Sequence, residues 1–283
     1  MRQRTITAVF FATAMIGGIY GGQYTFFVLF ALITAGCAWE LAGLLFVEEE
    51  RLVTLRRVVC VVTALLVYLL VGSNALGIFI IEPTIPLLPI LALLFAGWAT
   101  IELFLAGKNP FGNVGFYLLA LAYIGIPLAL VTVIAFRPPG ECIVGAEHLS
   151  RYAPHRVFGL LWLIWTNDTM AYLIGSRVGR TKLFERISPK KTWEGTIGGG
   201  IFAIAMAWLL SLYISDYSQA EWLALGIVAA VFGTLGDLIE SMLKRSLGVK
   251  DSGALLPGHG GLLDRFDAFL FALPFAWLAV WLF

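Results

Sequence analysis

Residues 221–283 read EWLALGIVAAVFGTLGDLIESMLKRSLGVKDSGALLPGHGGLLDRFDAFLFALPFAWLAVWLF. Two apolar runs, 221–243 and 264–283, enclose a linker dense in acids, bases and glycine. Each run suits a membrane-spanning helix, which needs about 20 apolar residues (range about 17–25). Polar groups at the edge of a bilayer are costly and need partners. The stretch from Ser241 to Asp267 therefore reads as a site, and the remainder as the scaffold that holds it.

The composition agrees. The 283 residues are 60% hydrophobic and 13% charged, with a mean hydropathy of +0.89. Soluble domains carry about 45–50% apolar and about 25% charged residues. The reading is an integral membrane protein with no stretch polar enough for a soluble domain. A net charge of +1 excludes little by itself, and no nucleic-acid partner is expected. Cys37, Cys60 and Cys142 make no disulfide framework and read as small hydrophobes. Met1-Arg2-Gln3-Arg4 and the apolar run behind it lack a convincing cleavage site, so the run is read as a retained first span.

Working outward gives nine candidate spans, approximately 5–20, 24–46, 57–81, 85–106, 113–136, 156–179, 196–214, 221–243 and 264–283. The expected fold is all-α, a polytopic integral membrane helix bundle of about nine transmembrane helices. Residues 1–155 are expected to be an N-terminal transmembrane scaffold, and 156–283 a C-terminal transmembrane catalytic region. Cytoplasmic loops carry an excess of Lys and Arg. With a cytoplasmic N-terminus and alternating spans, only Arg137, Arg151 and Arg156 of the 19 basic residues fall outside. The basic loops 180–195 and 244–263 then share the cytoplasmic face, and the C-terminus lies outside. His148 and His155, in an external loop, are a weak metal signal and read as solvated.

Three clusters carry chemistry. Asn167 and Asp168 sit near the middle of an apolar span, and an intramembrane carboxylate is a functional candidate by default; the alternative is satisfaction by a neighbouring helix. Gly175 and Gly179 form a small-xxx-small pair that indicates close helix packing. Next, Ser188-Pro189-Lys190-Lys191-Thr192-Trp193-Glu194-Gly195 offers point charge, hydroxyls and glycine N–H groups suited to a polyphosphate. It is not a Walker A loop, and a basic loop binding acidic lipid is the alternative.

In the third cluster Asp237, Glu240 and Lys244 fall at i, i+3 and i+7 on one helical face, and Asp264 and Asp267 at i, i+3 at the start of the last span. Carboxylates from two helices suit Mg²⁺, which takes one or two carboxylates, waters and substrate phosphate oxygens. The alternative is salt bridging among Asp264, Arg265, Lys244 and Arg245. His259 reads as an acid–base group, a phosphate contact or a turn residue.

Ser241 through Asp267, with Ser-x-x-Lys-Arg, Lys250-Asp251 and Pro-Gly-His-Gly-Gly-x-x-Asp-Arg-x-Asp, resembles the hallmark motif of the phosphatidate cytidylyltransferases (CDP-diacylglycerol synthases). The Ser188–Gly195 element, Asp168 and the Gly175/Gly179 pair resemble that family too, so the likeness is strong over about 155–283. It implies a nucleotidyltransferase of phospholipid biosynthesis in the cell inner membrane, making CDP-diacylglycerol and pyrophosphate from CTP and phosphatidic acid. It also implies a requirement for Mg²⁺, a monovalent cation such as K⁺ beside it, and a homodimer in membrane lipid. Asp237 and Asp264 match the metal positions, with Asp251 and Asp267 as secondary choices and Asp168 as a further ligand candidate. Lys244, Arg245, Lys250, Asp251 and His259 are expected to serve catalysis. Ser188, Lys190, Lys191, Thr192, Glu194 and Arg265 are expected to bind the nucleotide. The competing readings are a polyprenol kinase, an ether-lipid cytidylyltransferase and an ion-coupled transporter.

Overall fold

A computed structural model describes residues 2–46, 52–78, 87–105, 107–136, 152–253, 255 and 260–283. Cys142, His148 and His259 lie outside the described residues. The described residues form nine continuous helices: α1 (Arg2–Tyr20), α2 (Gln23–Leu45), α3 (Val53–Ala75), α4 (Leu87–Leu105), α5 (Pro110–Phe136), α6 (Pro154–Val178), α7 (Trp193–Tyr213), α8 (Gln219–Ser246) and α9 (Leu263–Leu282). Each coincides with one of the nine apolar runs. The main difference is α3, which begins at Val53 and closes at Ala75, short of the expected 81.

Seven of these helices, α2, α3 and α5 to α9, are long and apolar enough to cross a membrane. The chain is a membrane protein. Apolar parts of α1 (Val9–Tyr20) and α4 (Pro89–Leu105) are shorter. One small antiparallel hairpin, β1 (Lys182–Phe184) with β2 (Ser188–Thr192), interrupts an otherwise helical chain among the described residues.

Local chemistry explains several helix ends. Asn109 Oδ1 accepts from the Gly112 N–H at 3.1 Å, with Pro110 at the first helical position of α5, where its missing N–H costs nothing. At the start of α8 the Ser218 Oγ accepts from the Glu221 N–H at 3.2 Å, and Glu221 Oε2 accepts from the Ser218 N–H. This reciprocal capping box satisfies two otherwise orphaned donors. The other end of α8 closes on Gly248 at φ +71°. Its N–H bonds to the Arg245 carbonyl, and that of Val249 to the Lys244 carbonyl, the pairing of a Schellman turn, which favours glycine. Two helices contain π-turns, Leu121–Gly125 in α5 and Ala229–Gly233 in α8. The second ends just before the acidic face of α8.

The chain forms two compact units. One comprises residues 1–132, 142–149 and 252–263. Its core holds Phe26, Phe30, Tyr68, Tyr117 and Ile124, all fully buried. Within it Arg56 and Glu102, each 1% exposed, form a two-pronged ion pair, Nε–Oε1 at 2.9 Å and Nη2–Oε2 at 3.0 Å. Asn113 Nδ2 and the Tyr117 hydroxyl also donate to Glu102, at 2.9 and 2.6 Å. Glu102 is thus a fully partnered buried charge, the condition under which such a group is tolerated.

The other unit comprises 133–141, 150–251 and 264–283. Its core holds Leu160, Leu163, Ile164, Ala203, Ala207, Trp222 and Leu225. Gly159 makes room for the Trp222 ring, whose Cζ3 lies 2.7 Å from where a Cβ would stand.

Candidate active site

The site grows from two close helix contacts in the second unit. On α6 and α7 the small residues interlock. A Cβ on Gly195 would stand 2.6 Å from the Ala171 carbonyl oxygen and 2.9 Å from Gly175 Cα, and one on Gly199 would stand 2.6 Å from the Asn167 carbonyl oxygen. Gly175 therefore does what its spacing with Gly179 suggests: it lets two backbones touch. Gly179 lies under the Thr192 side chain, where a Cβ would meet Thr192 Cγ2 at 2.8 Å.

This contact sets the hairpin that leads into α7. The stretch read as a phosphate loop is β2 for Ser188 to Thr192 and the first turn of α7 from Trp193. Thr192 is buried and caps α7, its Oγ1 accepting from the Gly195 N–H at 3.2 Å. Glu194 turns back to accept from the N–H groups of Arg180 and Thr181 at 3.1 Å. Thr192 and Glu194 thus hold the hairpin to the helix. Lys190 is exposed, Ser188 half-buried, and Lys191 extends to α8, its Nζ 2.6 Å from Asp237 Oδ2.

The second contact joins α8 to α9. A Cβ on Gly236 would lie 2.7 Å from the Asp267 carbonyl oxygen, 2.8 Å from Phe271 Cβ and 2.9 Å from Ala268 Cα. The close approach at Gly236 brings the next turn of α8 against the first turn of α9. Asp237 takes a hydrogen bond from the Ser241 hydroxyl at 3.2 Å. Lys244 Nζ reaches Glu240 Oε2 at 3.0 Å and Asp264 Oδ1 at 2.5 Å. Of the salt bridging among Asp264, Arg265, Lys244 and Arg245 that stands as the alternative to a metal site, the Lys244–Asp264 pair is formed. Arg245 is exposed and donates to the Val249 carbonyl at 3.2 Å; Arg265 is exposed at the start of α9.

Glu240 is fully buried, and its Oε1 has no hydrogen-bond donor. The Asp267 carboxyl group on α9 lies within electrostatic reach of it. Two carboxylates so placed favour a proton or a cation between them. In the sequence Glu240 is only one member of an acidic face near the end of an apolar run; its burial is visible only in the structure. Asp168, exposed on α6, lies within electrostatic reach of both Lys191 and Asp237. The neighbouring Asn167 is buried and donates to Thr234 Oγ1 on α8 at 3.2 Å.

Lysines and acids therefore meet in two groups: Lys191 with Asp237, and Lys244 with Glu240 and Asp264. Among the described residues no three His, Cys, Asp or Glu side chains stand at metal-ligating spacing. A Mg²⁺ ion needs only one or two carboxylates beside waters and phosphate oxygens. The buried Glu240 Oε1, which has no hydrogen-bond partner, fits that demand. Lys250 and Asp251 are exposed beyond the end of α8.

The model of the cytidylyltransferase family matches residues 2–283. The chain belongs to this family. Among similar proteins, the phosphatidate cytidylyltransferase of Bacillus subtilis (strain 168) is 33% identical over 288 residues, covering 100% of this chain and 98% of its own. That of Staphylococcus aureus (strain COL) is 36% identical over 211 residues, 71% of this chain and 75% of its own. The Staphylococcus haemolyticus protein of the same name is 41% identical over 171 residues, 59% and 60% of the two chains.

Proposed function

We propose that this family member transfers the cytidylyl group of CTP to phosphatidic acid, releasing pyrophosphate and leaving CDP-diacylglycerol. The observation that carries the reading is the alternation of Lys191, Asp237, Lys244 and Asp264 on neighbouring elements of an apolar helix bundle, in a chain whose full-length relative is a phosphatidate cytidylyltransferase.

A phosphate oxygen of the lipid attacks the α-phosphorus of CTP. The new P–O bond forms as the bond to the β-phosphate bridging oxygen breaks, and pyrophosphate leaves with the electron pair. The nucleophile is already anionic, so no general base is required. Positioning and charge compensation supply the acceleration. Lys191 and Lys244 turn from their carboxylate partners to phosphate oxygens. Lys190, Arg245, Lys250 and Arg265 compensate the remaining charge of the two substrates. Thr192 and Glu194 keep the hairpin in place. Mg²⁺, when bound by carboxylates drawn from Asp237, Glu240, Asp264 and Asp267, neutralises charge on the phosphate oxygens.

The reading extends to a cytoplasmic site in the inner membrane, with the N-terminus inside and the C-terminus outside, supported by the basic-residue asymmetry. It further includes a homodimer in lipid and a K⁺ ion beside the Mg²⁺.

The test is purified protein in detergent with phosphatidic acid, Mg²⁺ and CTP labelled in the cytidine. Labelled lipid and free pyrophosphate are expected. Release of labelled CDP with a phosphorylated lipid indicates a polyprenol-kinase type of reaction instead. Ion flux without CTP consumption indicates a transporter.

A further inference from the structure

Glu40 lies in the apolar helix α2, yet its side chain is only 5% exposed. A carboxylate buried in such a helix must be compensated by donors. Its donors come from the far end of the sequence. Glu40 Oε2 accepts from the Leu263 N–H at 2.8 Å and from the Ser252 hydroxyl at 3.4 Å, and Oε1 accepts from the Leu255 N–H at 3.4 Å.

Two glycines clear the space around it. A Cβ on Gly253 would stand 2.6 Å from Glu40 Cδ, and one on Gly261 would stand 2.5 Å from Glu40 Oε2 and 2.9 Å from the Gly253 nitrogen. One turn earlier on the same face of α2, Gly36 accommodates Leu262, whose Cδ2 would lie 2.6 Å from a Cβ there. Leu263 is the first residue of α9. Its N–H is one of the four donors that a helix start leaves without an intrahelical acceptor, and negative charge is favoured at that end. The next residue is Asp264.

We propose that Glu40 is a positioning residue for the transfer reaction. It pins the chain on both sides of the glycine-rich linker and thereby sets where α9 begins, and with it where Asp264 and Asp267 stand. The inference rests on the proposed function for the role of those acids. Glu40 itself touches no substrate. Its two oxygens act only as acceptors, so Glu40→Gln, which puts an NH₂ where an N–H donor points, breaks the anchor while keeping the volume. Gly261→Ala breaks it differently, by displacing a charge that stays present.

The experiment compares the full chain with its Glu40→Gln and Gly261→Ala variants in detergent, by hydrogen exchange and by turnover. Exchange at the Leu255 and Leu263 amides is expected to rise at least about tenfold in both variants, a loss of about 1.4 kcal/mol in local protection, with α6 and α7 unchanged. Turnover at saturating substrates is expected to fall at least about tenfold, and the Mg²⁺ concentration for half-maximal rate to rise, while KM for phosphatidic acid stays constant. Glu40→Asp, which keeps both oxygens, should recover part of the turnover. Unchanged exchange at these amides overturns the proposal. So does faster exchange spread evenly over the chain, the mark of a merely stabilising group, or local loosening with wild-type turnover and Mg²⁺ dependence. Exchange is read without substrate, so local loss of protection supports the anchor even where the wild-type protein yields no cytidylylated lipid, a result that overturns the function alone.

Discussion

Lys191, on a hairpin strand, and Asp237, on a long helix, meet with Nζ 2.6 Å from Oδ2, and both side chains are partly open, at 24% and 33% exposure. An ion pair that open contributes about 0–1 kcal/mol to stability. It is a weak strut but a useful reserve of charge, because an arriving triphosphate can take the lysine at little cost. Lys244, at 11% side-chain exposure and held by two carboxylates, is bound more firmly. The two lysines thus differ in how readily they are released.

From that difference, Lys191→Ala should fold and insert as the wild type does, with an unfolding temperature shifted by no more than a few degrees. Its KM for CTP should rise about tenfold, equivalent to about 1.4 kcal/mol of lost binding. Steady-state kinetics in detergent reads both substrates. An unaltered KM for CTP removes the hairpin from the polyphosphate site.

Asp264→Asn keeps the shape of the side chain and removes its charge, leaving Lys244 with Glu240 alone. Turnover should drop by more than about 10²-fold, as expected for loss of a group that stabilises transition-state charge. Size-exclusion profile and membrane insertion should not change. Near-normal lipid labelling by this variant takes Asp264 out of the cation role.

Gly236→Ala places a methyl against backbone atoms of α9, which cannot rotate away as a side-chain tip can. Overpacking of this kind costs about 1–3 kcal/mol. Both thermal stability and turnover should fall together, since the same contact sets how Glu240 and Asp267 approach. A variant as stable and active as the wild type means that the two helices do not approach this closely.

Glu102→Ala removes one partner of a buried ion pair and leaves Arg56 uncompensated in the core of its unit. The cost is about 3–5 kcal/mol, visible as a marked drop in unfolding temperature. The Glu102→Ala, Arg56→Met double variant should recover much of it, because the stranded charge is then gone.

The helices and their approximate limits were legible because hydropathy is a property of consecutive residues. Even the shortened α3 was misjudged by only part of a span. The same local reading missed the hairpin at 182–192. The capping of α7 by Thr192 and the folding back of Glu194 on Arg180 and Thr181 are contacts that the order of residues there does not reveal. In the sequence Glu40 and Glu102 are simply two acids near the ends of apolar runs. Nothing near either in the chain says that one meets Arg56 and the other Leu263.

What the amino-acid order determined by itself, then, is the membrane class, the helical architecture and the motif that marks the cytidylyltransferase family, since each is written in composition, period or adjacent residues. Which lysine meets which acid, why Glu240 lies near Asp267, and what Glu40 holds were decided only in the tertiary structure. Those contacts exist because glycines at 36, 195, 236, 253 and 261 let segments distant in sequence approach to van der Waals distance, and no local pattern encodes which partner fills the space a missing side chain leaves.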